Sequence, residues 1–396
     1  MIPLARRRAV AIEALCGFFG FAGWSFYAAA FAHHLGQDWM VFYNASGAYL
    51  EGNLPLLFHG ADFTARINEQ LADWLSAPLS FHPWMYPPTF LLFLVPFGGL
   101  PFPIAYASFL LVTGAALIAA VWYYDDDPEH RKLLLGLLML SPAVACTVVL
   151  GQNSFLTSAV LIGGFALMKR RPILGGTVLG ILSFKPQLAL MVPIALIAGR
   201  YWQSLAGAAA SALLLAFFSL VVFGLDAWRG WVALMTVPSD LYNAWNIVGR
   251  LHGQSVYTCV ALLGASPAVA NAAQAIAIVL AAGGVYWCFR QPVPHELQLM
   301  MLLAATILSA PHVFNYDGVM LDIAASLLLC RALNDGFRFG ELIVIPLTWV
   351  NPLINPPILF PVGLITPLVI GLFMACIIAR GRSLARAPGN SVLYPA

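Results

Sequence analysis

A carboxylate that meets the membrane surface just where the chain leaves an apolar stretch can reach a headgroup, and Asp38 holds such a place. It heads the segment GQDWMVFYNASGAYLEGN, shortly after an apolar run that ends at Phe31-Ala32. A carboxylate there has two uses. It can act as a general base on a hydroxyl, with its proton affinity raised by partial burial, or cap a helix, for which aspartate is a favoured residue. Lys185 stands inside an apolar run next to Pro186, where the proline interrupts a helix and a lysine is costly in lipid. It reads as a point charge for phosphate or as a side chain snorkelling to the interface. His312, Asn315, Tyr316 and Asp317 share one short turn between apolar runs. There the histidine can orient a phosphate or a hydroxyl, while Asp317 either binds a hydroxyl-rich ligand or caps the helix that follows. Gln152 and Asn153 offer amides to the same kind of ligand, although Gly-Gln-Asn is also an ordinary turn. Arg250 is a second candidate for phosphate, and Asp322, five residues beyond Asp317, needs a partner if it lies in a helix.

The elements that carry these residues follow from composition. Of 396 residues, 61% are hydrophobic and only 9% charged, too little charge to cover a soluble globule of this size. The chain therefore reads as an all-α polytopic membrane protein. A net charge of +2, with basic residues scattered in short groups, excludes a nucleic-acid partner. The six cysteines lie singly, in no pattern suited to metal or redox work. His33, His34, His59 and His82 form no HExxH string, so no metal is expected. Asp125-Asp126-Asp127 reads as a solvated turn. The run from Ala9 to Phe31 exceeds a signal-peptide core and is long enough to span.

Apolar stretches recur to Ala379, several of them shorter than a span, and imply about twelve transmembrane helices. The shorter Tyr86 to Gly99 and Val256 to Ala265 read as re-entrant or surface helices. Lysine and arginine collect in cytoplasmic loops. Reading Pro172 to Gly199 as two short helices meeting at Lys185 leaves only Arg66, Lys185, Arg229 and Arg250, of 19 Lys and Arg, on the outer face. A single domain, 1–396, is expected, with an outer loop of juxtamembrane helices over 32–101 and a second outer loop with a short re-entrant helix over 226–266. The unusual polar residues gather on the outer face.

Several strings resemble the GT-C superfamily, and within it glycosyltransferase family 87, also called DUF2029. They are Asp38-x4-Tyr43-x-Ala45, Glu51-Gly52-Asn53, Tyr86-Pro87-Pro88, Gly151-Gln152-Asn153, Gly175 through Lys185-Pro186, Ser309-Ala310-Pro311-His312 and Tyr316-Asp317. The resemblance implies a GT-C-type bundle that takes a sugar, commonly mannose, from a polyprenyl-phosphate donor. Transfer to a lipid or glycan acceptor would be inverting, without metal or other cofactor, at the extracytoplasmic face of a bacterial inner membrane. It implies Asp38 as the catalytic base, and Lys185, His312, Asp317, Tyr43, Gln152, Asn153, Tyr316 and Arg250 as substrate-binding residues. Where mannosyl-transferring members carry Ser-Pro-x-Ser-Trp-x-His-His, this chain reads SAPHVFNYDG, keeping one histidine, His312. A rival class is a lipid or oligosaccharide flippase, in which Asp322, Asp317 and Lys185 relay protons or hold cargo. The internal repeat common in transporters is not visible, since Lys185-Pro186 has no counterpart in the second half.

Overall fold

The computed structural model describes residues 4–236, 253–354 and 365–385, and its regular elements are all helices, with one isolated bridge between Gly253 and Phe314. α1 runs Leu4–Ala30. The segment after it folds into short helices, α2 (Gln37–Leu50), a 3-10 turn (Leu54–Phe58), α3 (Gly60–Gln70) and α4 (Pro88–Leu94). Pro88 opens α4, where the first-turn N–H that proline lacks has no helical acceptor anyway. These short helices, with the helix that follows them, bury one aromatic cluster that includes Trp39, Phe42, Trp84, Phe90 and Phe109. Phe184 joins it by stacking on Phe90 at 5.0 Å, which ties these helices to the residue preceding Lys185.

α5 (Phe102–Tyr124) is followed by α6 (Pro128–Leu140) and α7 (Pro142–Leu150). The sequence expects one stretch over Lys132 to Leu150, but the chain bends by 55° between α6 and α7, because Pro142 removes a helical donor. The Ser141 hydroxyl fills the gap, accepting from the Val144 N–H and donating to Asp322. Asp322 thereby finds the partner it needs, at this bend. Next come α8 (Ser154–Met168), α9 (Pro172–Gly180), α10 (Pro186–Ala189) and α11 (Met191–Ala198). The last three are pieces of a helix broken at Lys185, as the sequence expects.

α12 (Trp202–Thr236) runs beyond the expected end of its apolar stretch at Leu225. It kinks at Gly224, with φ 79°, and stays helical through DAWRGWVALMT, which contains no proline. The remaining helices are α13 (Val256–Leu262), α14 (Pro267–Arg290), α15 (His295–Ser309), α16 (Val319–Asp335), α17 (Glu341–Ile354) and α18 (Ile365–Ala385). α15 and α16 are buried on nearly every side and form the centre of the core, which matches their apolar character all round. At one end of α16, α17 and α18 a charged knot is buried. Arg380 donates to Glu341 at 2.8 and 2.6 Å, and Arg331 reaches Asp335 and Glu296.

Among the described residues four helices, α5, α12, α14 and α18, are long and apolar enough to span a membrane, and five if α6 and α7 make one bent span. The expected figure of about twelve counts runs that the chain cuts into shorter apolar helices such as α8, α9 and α15. The chain is an integral membrane protein. α9 and α12 approach closely along a glycine seam. A Cβ on Gly176 would stand 1.9 Å from the Ser204 carbonyl oxygen, and one on Gly180 2.2 Å from that of Ala208. Small residues permit such contact between membrane helices. Gly176→Ala is expected to destabilise by about 1–3 kcal/mol, read as earlier thermal unfolding in detergent. Gly136→Ala, on open surface, is expected to leave unfolding unchanged or later.

Candidate active site

The start of α2 is fixed against the end of α7. The Gly36 N–H donates to the Val149 carbonyl at 2.8 Å. Gly151 closes α7 with φ 74°, and a Cβ there would lie 2.4 Å from that of Trp39. This contact sets Gln152 beside Asp38, and the Gln152 amide donates to Asp38 Oδ2 at 3.0 Å. Asp38 is therefore not the cap of α2. Gly36 holds that position, and Asp38 lies in the first turn with its carboxylate turned toward α7. Gln152 Oε1 accepts from the Asn153 N–H at 2.9 Å and from the Tyr86 hydroxyl at 3.4 Å.

Asn153 carries the chain of contacts across to the break in the α9–α10 region. Lys185 Nζ donates to Asn153 Oδ1 at 3.2 Å and to Asp317 Oδ1 at 2.7 Å. It also lies 5.3 Å from the centre of the Tyr316 ring. The side chains of Lys185 and Asp317 are only 3% and 1% exposed, so the pair is withdrawn from water. Asp317 Oδ2 in turn accepts from the Phe314 N–H at 3.1 Å, closing its own turn.

That turn is held from behind by buried polar groups. Asn315 donates to the Tyr27 hydroxyl at 2.8 Å and accepts from Gln254 at 2.6 Å. Gln254 accepts from Asn351, which accepts from Thr366 at 2.8 Å. The Gln254 N–H adds a bond to the Val313 carbonyl at 2.8 Å. In this way α1, α17 and α18 all brace the position of Asp317.

The result is a closed floor and an open rim. Gln152, Asn153, Lys185 and Asp317 are buried, while Gln37, Asp38, His82, Tyr86 and Tyr316 are partly exposed. Burial raises the Asp38 carboxyl pKa above its ordinary value, opposed by His82, the Gln152 hydrogen bond and the charge of Lys185. Burial also raises the Tyr86 phenol. His82 is bonded to the Ser80 carbonyl through Nδ1 at 2.8 Å and to Gln37 through Nε2 at 2.5 Å.

The structure thus brings together Asp38, Gln152, Asn153, Lys185, Tyr316 and Asp317. Two other candidates stand apart. Tyr43 points its hydroxyl to the Leu100 carbonyl at 2.9 Å and packs its ring on Phe102. His312 is exposed, with no hydrogen bond to any of these groups among the described residues. Arg250 lies outside the described residues. Tyr86, Gln37 and His82 are additions that sequence reasoning missed. Tyr86-Pro87-Pro88 reads as a helix start, and His82 carries no signal once metal spacing fails. Only contact with Gln152 and Asp38 reveals them. As for the Lys185 break, the reading of Lys185 as an interfacial side chain gives way to that of a buried partner of Asp317.

The profile of glycosyltransferase family 87 matches residues 84–311. No curated protein and no solved structure matches the chain. The matched stretch contains Tyr86, Gln152, Asn153 and Lys185, with Asp38 before it and Asp317 after it. Lys185→Met, which strands Asp317 as a lone buried charge, is expected to cost about 3–5 kcal/mol of stability. Lys185→Met combined with Asp317→Leu is expected to cost less than the sum of the single losses. Thermal unfolding of the four proteins in detergent measures this, and strictly additive losses would show that the two charges are not coupled.

Proposed function

The chain belongs to glycosyltransferase family 87, and we propose that it transfers a hexosyl unit, mannose among the candidates, from a polyprenyl-phosphate donor to a lipid or glycan acceptor. Transfer takes place at the extracytoplasmic face of a bacterial inner membrane, by one inverting displacement and without a metal. The observation that carries this reading is a partly exposed carboxylate, Asp38, held by Gln152 at the edge of a buried Lys185–Asp317 pair.

Three chemical requirements are met by these residues. The first is a base for the acceptor hydroxyl. Asp38 is the carboxylate of the cluster that reaches solvent, and a carboxyl raised toward the working pH is a better proton acceptor than an ordinary one. The second is a field that favours positive charge at the anomeric carbon, since glycosyl transfer passes through an oxocarbenium-like state. With Asp38 ionised, the cluster holds two carboxylates against one ammonium, a net charge of −1, fixed in place before substrate arrives.

The third requirement is accommodation of the departing phosphate. Lys185 has three N–H donors, of which Asp317 and Asn153 take two. One N–H is left for a phosphate oxygen, and the ammonium lies 5.3 Å from the centre of the Tyr316 ring. Arg250 and His312 are proposed as the groups that contact the phosphate or the acceptor. Gln152, Asn153 and Tyr86 offer hydrogen bonds to sugar hydroxyls.

Reconstitution in proteoliposomes with a polyprenyl-phosphate hexose tests the base. Asp38→Asn is expected to lower transfer by about 10²–10⁴-fold with the protein still folded, whereas unimpaired transfer would remove Asp38 from the mechanism. The pH profile makes a separate test. The raised pKa of Asp38 means that the active, ionised form is lost on acidification earlier than for an ordinary carboxylate near ~4. Gln152→Leu removes a bond that favours the ionised form, so the acid limb of the rate profile is expected to move to higher pH. A limb that stays fixed would show that the titrating group is not Asp38.

A further inference from the structure

At the far end of α5 from the Asp38 cluster lies a second site that the glycosyl-transfer reading does not use. α5 begins beside Gly36, where Phe102 and Tyr106 touch its surroundings, and its 23 residues carry it about 34 Å, enough to cross the hydrocarbon of a bilayer. Its last turns line an open groove of about 640 Å³. Ala115, Ile118, Ala119 and Trp122, spaced i, i+3, i+4 and i+7, form an exposed apolar stripe along the groove. Arg131 and Arg170 stand at its polar end.

We propose that this groove binds an anionic phospholipid, with the phosphodiester between Arg131 and Arg170 and one acyl chain along the α5 stripe. Charge and shape both favour that occupant. The lining holds two guanidinium groups against one carboxylate, Asp126, so a single negative charge balances it. The other acidic groups nearby are already engaged. Asp125 and Asp127 lie at 3.5 and 3.8 Å from His130, and Glu129 pairs with Lys132 at 2.7 Å.

Arg131 is pre-positioned for an oxyanion. Its guanidinium carbon sits 4.5 Å from the centre of the Trp122 ring, and among the described residues the guanidinium makes one hydrogen bond, a long 3.5 Å contact with the Asp126 carbonyl. Its Nε is buried and has no partner among the described residues. A guanidinium held over an aromatic face, with terminal N–H donors to spare, can bind a phosphate oxygen. Trp122 and Tyr123, 58% and 45% exposed, place the site at the headgroup level, where tryptophan and tyrosine collect. Lys169, 5.7 Å over the Tyr124 ring, adds a further cation nearby. A zwitterionic lipid carries the same phosphodiester but adds a cation, which leaves the net positive charge of the lining uncompensated, and a free anion would leave the apolar stripe unused.

Native mass spectrometry of the full-length protein, titrated in detergent with phosphatidylglycerol, phosphatidylcholine or inorganic phosphate, tests the site. Phosphatidylglycerol is expected to be retained in preference to phosphatidylcholine. Arg131→Gln and Arg170→Gln are each expected to weaken its retention about fivefold, the effect of one basic residue at a charged lipid surface. Ala115→Trp fills the groove from an exposed position and keeps both arginines, so it is expected to abolish retention without disturbing the fold. Equal retention of the two lipids, unchanged retention in all three variants, or competition by inorganic phosphate as strong as by the lipid would each overturn the proposal. The readout is lipid retention, so it stands or falls apart from the transfer reaction.

Discussion

A lysine and an aspartate that both lie out of water cannot be left single. Removing either strands a buried charge at a cost of several kcal/mol, so Lys185 and Asp317 hold each other across 132 residues of sequence. The elements on both sides are placed to serve that contact. Pro186 breaks the helix so that Lys185 sits at an end, not on a lipid-facing wall, and the chain of Tyr27, Asn315, Gln254, Asn351 and Thr366 locks the turn that presents Asp317. Asn153 then links the pair to Gln152 and so to Asp38. The candidate base is positioned, at three removes, by an ion pair it does not touch.

This arrangement separates the work of building the site from the work of chemistry. The floor is buried and its members are bonded to one another, which gives it rigidity. The rim, with Asp38, Tyr86, His82 and Tyr316, is partly open and available to a substrate. Family membership supplies the class of reaction. The two ends of α5 divide the molecule further. One adjoins the Asp38 cluster, and the other carries an aromatic surface with two arginines.

Much of the site was legible in the sequence because membrane helices make polar residues conspicuous. A lysine beside a proline in an apolar run, a Gly-Gln-Asn turn and an Asp just past a helix all stand out against 61% hydrophobic residues. What periodicity cannot carry is pairing at long range. Nothing local tells Lys185 to choose Asp317, turns the Tyr43 hydroxyl to Leu100, or leaves His312 apart from the cluster. His82 and Tyr86 escaped notice because each has a bland local reading, and only the fold sets them beside Asp38 and Gln152. The bend at Ser141 and the helical continuation of α12 past Leu225 show the same limit for elements. Hydropathy marks apolar runs, while proline, a capping hydroxyl or one permissive glycine decides where the chain turns within them.

The most direct measurement is a cryo-EM map of the protein in nanodiscs with a non-transferable polyprenyl-phosphate hexose bound. The account predicts that the sugar lies over the rim formed by Asp38, Tyr86 and Tyr316. Asp38 should stand within hydrogen-bond reach, about 3 Å, of the space that an acceptor hydroxyl must occupy to attack the anomeric carbon. The Lys185–Asp317 pair should remain intact beneath. Density for the sugar phosphate away from this cluster, with Asp38 facing no part of the ligand, would contradict it.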